Sequence, residues 1–202
     1  QGWEDDAAIH ERLYGEVAEF VRREVGAKRV VIFDHTIRAK SNAKQATSEH
    51  STVRRAPVRI VHCDYTPDSG PLRVRQLLPG EAGELLKSRV AFYNFWKPLR
   101  QTVEELPLGM CDVTSSTDED FITMKLRYRE RDGEIFVLRH SPQHRWWYFP
   151  RMTPEQAILL KTYDSETDGR ARFIGHSAFE DPGTRPDAPM RESIEIRTIA
   201  FF

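Results

Sequence analysis

Apolar residues recur at helical spacing in one stretch near the start of the chain. Ile9, Leu13, Val17, Phe20 and Val25 fall close to a 3.6-residue period, with Glu and Arg between them. This predicts one amphipathic helix over 7–25, stopped by Gly26. From residue 29 the pattern changes. "RVVIFDHTIR" (29–38), "RIVHCDYT" and its flanks (58–66), "VAFYNFWKPL" (90–99), "MCDV", "ITMKLRYR", "EIFVLRH", "HRWWYF", "ILLKTYDS", "RARFIGHSAFED" (170–181) and "RESIEIRTIAFF" (191–202) all read as strands.

Between them lie turn signals. "PDSG" is one, and "ERDG" joins two strands as a hairpin-type turn. Thr153, Pro154 and Gln156 open a single helical turn with a capping box before the next strand. "LRVRQLL" extends a strand or starts a helix, and "GEAGELLKSR" suggests a short helix. Residues 39–57 hold almost no large apolar side chain and read as a solvated loop or flap. Many short strands after one helix predict a mainly β fold with flanking helices: a double-stranded β-helix, or jelly-roll, cupin-like barrel in one domain over 1–202. No strand–helix alternation supports a doubly wound sheet, and neither Gly-rich phosphate motif occurs.

Composition narrows the function. The chain has 202 residues, 39% hydrophobic and 30% charged, with net charge −1. This near-neutral balance argues against a nucleic-acid partner. No apolar run approaches the ~20 residues that span a bilayer, and no signal segment opens the chain. The expectation is a cytoplasmic protein with no membrane partner. The chain begins at Gln1 rather than Met, so a leader lost before it stays open. Two cysteines, Cys63 and Cys111, do not make a disulfide scaffold or a C-x-x-C pair. A metal site would have to use His and carboxylates.

His62 and Asp64 supply the first part of one. Two positions apart on a strand, they project from the same face, and Cys63 between them points to the other. Alone, His-x-Asp is a weak signal among seven histidines, and a hydrogen-bonded surface pair is the better explanation of it. A second His is needed. His140 and His144 flank a turn, "SPQ", whereas His176 lies inside a strand-like segment. Two His and one carboxylate on one face leave three octahedral positions open, as in non-haem Fe(II) oxygenases. Arg191 and Ser193 share one face of the last strand, and an Arg fork beside a hydroxyl grips a carboxylate. Arg197 is a second candidate on that face. His-x-Asp, then His, then Arg-x-Ser is the order used by Fe(II)/2-oxoglutarate dioxygenases.

The stretches "VHCDYT", "NFWKPL", "HRWWYFPRMTPEQAILLKTYDS", "HSAFEDP" and "APMRESIEIRTIAFF" together resemble the fungal AsaB-type hydroxylase/desaturase family of secondary metabolism. That family includes gibberellin desaturase and is similar to a methoxylation component of cephamycin biosynthesis. The resemblance runs from about Val30 to the C-terminus. It implies a jelly-roll oxygenase using Fe(II), 2-oxoglutarate and dioxygen, with oxidative decarboxylation to succinate and CO2. It implies His62, Asp64 and His176 as metal ligands and catalytic centre, and Arg191 with Ser193 as the 2-oxoglutarate clamp. Asn94 and Trp96 match a further family motif, which puts Asn94 near the co-substrate. Tyr65, Arg73 and Tyr148 are weaker pocket candidates. Phe92, Trp96, Trp146, Trp147 and Phe179 are available for an apolar substrate wall or for the core.

The expected activity is hydroxylation or desaturation of a small-molecule biosynthetic intermediate. Two other classes compete: a metal-free jelly-roll binding module, and a zinc-dependent cupin-like hydrolase. The hydrolase has no use for an Arg-x-Ser clamp and lacks an evident extra general base. A homodimer stays open.

Overall fold

In the computed structural model, which describes residues 6–44, 54–127 and 132–202, α1 spans Asp6–Val25. Its buried residues Ile9, Val17 and Val21 lie on one stripe. Gly26 ends it at φ +69°, and the Ala27 N–H returns to the Arg22 carbonyl at 3.0 Å. A left-handed residue there is what glycine allows at no steric cost.

The stripe packs on a five-stranded sheet. Its strands are β1 (Arg29–Ala39), β2 (Arg54–Arg55), β4 (Val90–Pro98), β9 (Ile158–Asp164) and β11 (Glu192–Phe201), in the order β2-β1-β11-β4-β9. The other sheet holds β3 (His62–Cys63), β5 (Leu108–Cys111), β6 (Phe121–Arg127), β7 (Asp132–Leu138), β8 (Trp146–Tyr148) and β10 (His176–Ala178), in the order β6-β7-β3-β10-β5-β8. All pairings are antiparallel except the short β1–β2 contact. Two such sheets packed face to face form the jelly roll.

The period of two on β11 decides what enters the barrel. Ile194, Ile196 and Ala200 pack toward α1 with Ile37, Ala91 and Tyr93. Ile199 and Phe201, of opposite parity, pack between the sheets with Phe92 and Tyr163. Arg191, Ser193, Glu195 and Arg197 share that inward parity. The interior is therefore apolar at two ends and polar between them. One end is Tyr65, Val74, Phe92, Tyr163, Ile199 and Phe201. The other is Trp96, Leu108, Met110, Met152, Ile158 and Leu160. On β4 the inward positions run Phe92, Asn94, Trp96, so Asn94 sits between the clusters.

Several expected elements are corrected. The strand expected over 58–66 contracts to His62–Cys63, and that over 170–181 to His176–Ala178. The carbonyls of Ile60 and Ile174 each accept from an imidazole two residues on, which removes them from the ladder. β3 and β10 meet through the pair His62–His176, supplemented by the Ala178 N–H to the Val58 carbonyl at 2.8 Å.

"PDSG" starts a helix, α2 (Ser69–Leu77), rather than only a turn. Thr66 N–H donates to Ser69 Oγ at 2.9 Å and Ser69 N–H to Thr66 Oγ1 at 3.1 Å. Pro71 in the first turn forfeits no helical bond. α3 (Ala82–Leu85) is the short helix expected there.

The polar stretch 39–57 contains a 3-10 turn at Lys40–Lys44 and β2; its residues 45–53 lie outside those described. Residues 128–131, which include part of the "ERDG" turn, also lie outside them, but Arg127 pairs with Asp132 across it. Thr153 and Gln156 make half of the expected capping box: the Thr153 N–H donates to Gln156 Oε1 at 3.0 Å, but the Gln156 N–H returns to the Thr153 carbonyl rather than its hydroxyl, closing a turn and not a helix. Among the described residues no helix is long and apolar enough to cross a membrane.

Candidate metal centre

His62 on β3 and His176 on β10 are direct cross-strand partners. Their ring centroids are 4.5 Å apart. Each imidazole places Nδ1 against the carbonyl two residues earlier, Ile60 at 2.8 Å and Ile174 at 3.0 Å. A carbonyl only accepts, so Nδ1 carries the proton and Nε2 keeps its lone pair for another acceptor role, such as metal ligation. Asp64 follows the end of β3, with Oδ1 3.5 Å from His62 Nε2. The three side chains bring one ligand atom each to within 4.8 Å of one another.

Asp64 is also held from the opposite sheet. Asn94, 1% exposed on β4, donates Nδ2–H to Asp64 Oδ2 at 2.6 Å. Burial opposes the Asp64 charge. Without a metal, a protonated His62 ring, its Nε2 3.5 Å from Oδ1, together with the fields of His176 and Arg197, outweighs it and holds the carboxyl well below the usual range. Burial, together with the neighbouring His62, pushes His176 down, so this ring favours its neutral, ligating form. His62 is raised, because Asp64 outweighs burial. Cys63 between the ligands is fully buried and its thiol is pushed up, chiefly by burial.

A charge ladder runs beside this cluster. Arg197 donates NH1 to Asp34 Oδ1 at 2.7 Å and to Thr36 Oγ1 at 3.0 Å, and NH2 to Glu195 Oε1. Burial opposes its charge, but Glu195 and Asp34 raise it well above the ordinary arginine value. Glu195 is 4% exposed and held low by Arg197 and Arg38 against burial. Arg38 NH1 donates to the Ala56 carbonyl at 3.2 Å, and its NH2 lies 3.6 Å from Glu195 Oε1.

Arg191 is 2% exposed and stands over the Trp96 ring, 5.7 Å from its centroid. Its NH1 donates to the Leu106 carbonyl, while its Nε and the Oγ of Ser193 are buried without a hydrogen-bond partner. Burial, reinforced by Arg38, pushes Arg191 down to about 10.

The structure thus brings together His62, Asp64, His176 and Asn94, and places Arg191 and Ser193 farther along the same interior face. The Arg197 guanidinium is engaged by two carboxylates, Asp34 and Glu195. His144 bonds Asp120 at 3.1 Å, and neither it nor His140 joins the cluster.

Phe92 and Trp96 are core residues, 0% and 1% exposed, and Tyr65 packs 4.3 Å from the Phe92 ring. Arg73 lies over Phe33 at 5.3 Å. Trp146, Trp147, Tyr148 and Phe179 line a groove of about 500 Å³ with Arg59 and Glu180. Tyr148 bonds Asp181 at 3.3 Å.

Sequence reasoning missed Asp34, Thr36, Arg38 and Glu195. The available signal was polar residues at every second position on two strands whose other face is apolar.

A jelly roll enclosing a His-x-Asp and a distal His defines the class of non-haem iron oxygenases. The family described as "Oxidoreductase/YMDC permease-like domain" matches residues 1–201. The chain is 33% identical over 218 residues to the hydroxylase/desaturase efuI of Hormonema carpetanum, covering 98% of this chain and 72% of that protein. It is 34% identical over 203 residues to the alpha-ketoglutarate-dependent dioxygenase phiK of a fungal species, covering 98% and 72%. The solved structure of the iron and alpha-ketoglutarate-dependent endoperoxidase NvfI superposes with a TM-score of 0.86 at 33% identity, over 98% of this chain and 70% of that one. The chain belongs to the fungal AsaB-type hydroxylase/desaturase family of Fe(II)/2-oxoglutarate-dependent dioxygenases.

Proposed function

We propose that the chain is an oxygenase that hydroxylates or desaturates a small-molecule intermediate of secondary metabolism, with His62, Asp64 and His176 as its metal ligands. The observation that carries this reading is the cluster itself: three donor atoms within 4.8 Å, in which both imidazoles spend Nδ1 on backbone carbonyls. Two neutral nitrogens and one carboxylate oxygen suit Fe(II) and leave room for co-substrate. Held there, Fe(II) would activate dioxygen, the oxidant, which would take two electrons from 2-oxoglutarate, giving succinate and CO2, and two from an unactivated C–H bond of the substrate.

The chain's own residues do the positioning. Asn94 fixes the Asp64 carboxylate. Arg191 Nε and Ser193 Oγ are orphaned, buried polar atoms, and such atoms are rare unless a ligand completes them. A carboxylate of 2-oxoglutarate completes both. Arg197 is a poorer clamp, because Asp34 and Glu195 already hold it. On this reading residues 1–202 act as one dioxygenase domain. The two buried free thiols fit the reducing cytoplasm.

The test is succinate formation from 2-oxoglutarate by protein loaded anaerobically with Fe(II) and then exposed to air, in the presence of a panel of small-molecule biosynthetic intermediates. The unsubstituted chain is expected to turn over, and Asp64→Ala to lose turnover. Full retained activity in Asp64→Ala would sink the ligand assignment. Zinc-dependent hydrolysis of an ester or lactone, with no consumption of 2-oxoglutarate, would instead support the hydrolase.

A further inference from the structure

Arg38 on β1 is the register partner of Ser193 on β11. Its side chain therefore enters the barrel on the same face as Ser193 and Arg191. It is 8% exposed, a rare position for a guanidinium unless it is paired. Its pairing is thin. The Glu195 oxygen it faces is 3.6 Å away, beyond hydrogen-bond range, and already accepts from Arg197 NH2. Arg38 otherwise donates to one neutral carbonyl, that of Ala56.

Around Ser193 three guanidiniums, Arg38, Arg191 and Arg197, share the interior with the carboxylates of Glu195 and Asp64 and the less buried ones of Asp34 and Glu105. Arg197 hydrogen-bonds two of these, Asp34 and Glu195. Among the described residues neither Arg38 nor Arg191 has a carboxylate within hydrogen-bond distance, and Arg191 Nε and Ser193 Oγ lack partners. Two buried cations without a hydrogen-bonded carboxylate, beside orphaned polar atoms, are built for an anion.

We propose that Arg38 is a second cation of the co-substrate pocket, sharing the distal carboxylate of a 2-oxo diacid with Arg191 and Ser193. This rests on the oxygenase reading above and adds a residue from a different strand to its clamp. Burial lowers both Arg38 and Arg191, and the field of Arg38 adds to the lowering of Arg191, which places the two guanidiniums near each other. Arg38 also ties the pocket to residues 54–56, through the Ala56 carbonyl.

The experiment is calorimetric binding of 2-oxoglutarate and of 2-oxopentanoate, which has a methyl in place of the distal carboxylate, to the Mn(II)-loaded chain. In the unsubstituted protein 2-oxoglutarate is expected to bind at least about a hundredfold more tightly. Arg38→Met is expected to cut that ratio by about tenfold or more, the value of one charge-assisted hydrogen bond, while 2-oxopentanoate affinity stays unchanged. Arg38→Lys is expected to keep part of the ratio and serves if the Met variant fails to fold.

The double variant Arg38→Met with Glu195→Gln separates a direct contact from simple neutralisation of Glu195. The ratio stays low if Arg38 touches the ligand. An unchanged ratio in Arg38→Met, or a ratio restored in the double variant, overturns the proposal and leaves the oxygenase reading intact. No preference for 2-oxoglutarate in the unsubstituted chain removes the clamp reading itself.

Discussion

Asn94 and Asp64 come from opposite sheets and meet at 2.6 Å inside the barrel. Asp64 lies beyond the last hydrogen-bonded residue of β3, so its backbone alone does not fix the carboxylate. The amide does, by occupying Oδ2 and turning Oδ1 toward His62. Partners of this kind orient metal ligands, and their loss typically weakens metal binding by about 10–100-fold. Asn94→Ala is expected to weaken Mn(II) binding within that range in a calorimetric titration. An unchanged affinity would make Asn94 a packing residue only.

Metal should also stabilise the fold. A ligand that binds only the native state, at a hundred times its dissociation constant, adds about 2.7 kcal/mol. Mn(II) at that excess is expected to raise the urea midpoint of the unsubstituted chain. The gain should vanish in Asp64→Ala and after chelation.

Arg197 and Arg191 predict opposite phenotypes. Arg197→Met leaves Glu195 and Asp34 without their shared partner, and breaking a buried ion pair costs about 3–5 kcal/mol. Partial exposure of Asp34 puts the expected loss at the low end of that range. Arg191→Met leaves no carboxylate stranded. It is expected to change stability little and to weaken 2-oxoglutarate binding strongly. Equilibrium denaturation beside calorimetry separates the two, and the reverse pattern would move the clamp to Arg197.

Ile196 is 0% exposed and packs under α1, on the sheet face away from the site. Ile196→Ala is expected to cost about 2–5 kcal/mol. Residual folded protein should keep its metal affinity. A loss of metal binding at full folding would mean that the two faces of the sheet are coupled.

The helix and most strands were legible because their periods are clean, 3.6 in 9–25 and two in 192–201. The triad was legible for a different reason. His-x-Asp survives as a spacing even where the strand around it is only two residues long. The extent of those strands was not legible, because the imidazoles of His62 and His176 capture backbone carbonyls that a regular ladder would use.

The charge ladder was hidden as well. Nothing in "DHTIR" or "IEIR" says which parity faces inward, and charged residues suggest the outside. Here α1 covers the isoleucines and the charges line the interior. Only the pairing of β1 with β11 puts Arg38 opposite Ser193.

The six-stranded sheet is really two three-stranded ribbons, β6-β7-β3 and β10-β5-β8, and the strand pair that stitches them is His62 with His176, beside the single Ala178 N–H to Val58 carbonyl bond. The proposed ligand pair is thus also the seam of the barrel wall. An ion gripping both rings would rivet that seam shut. Losing it would leave the ribbons joined chiefly by two backbones with little ladder between them. Substituting either histidine strikes architecture and chemistry at once, which is why Asp64, outside the seam, is the cleaner place to interrogate the metal.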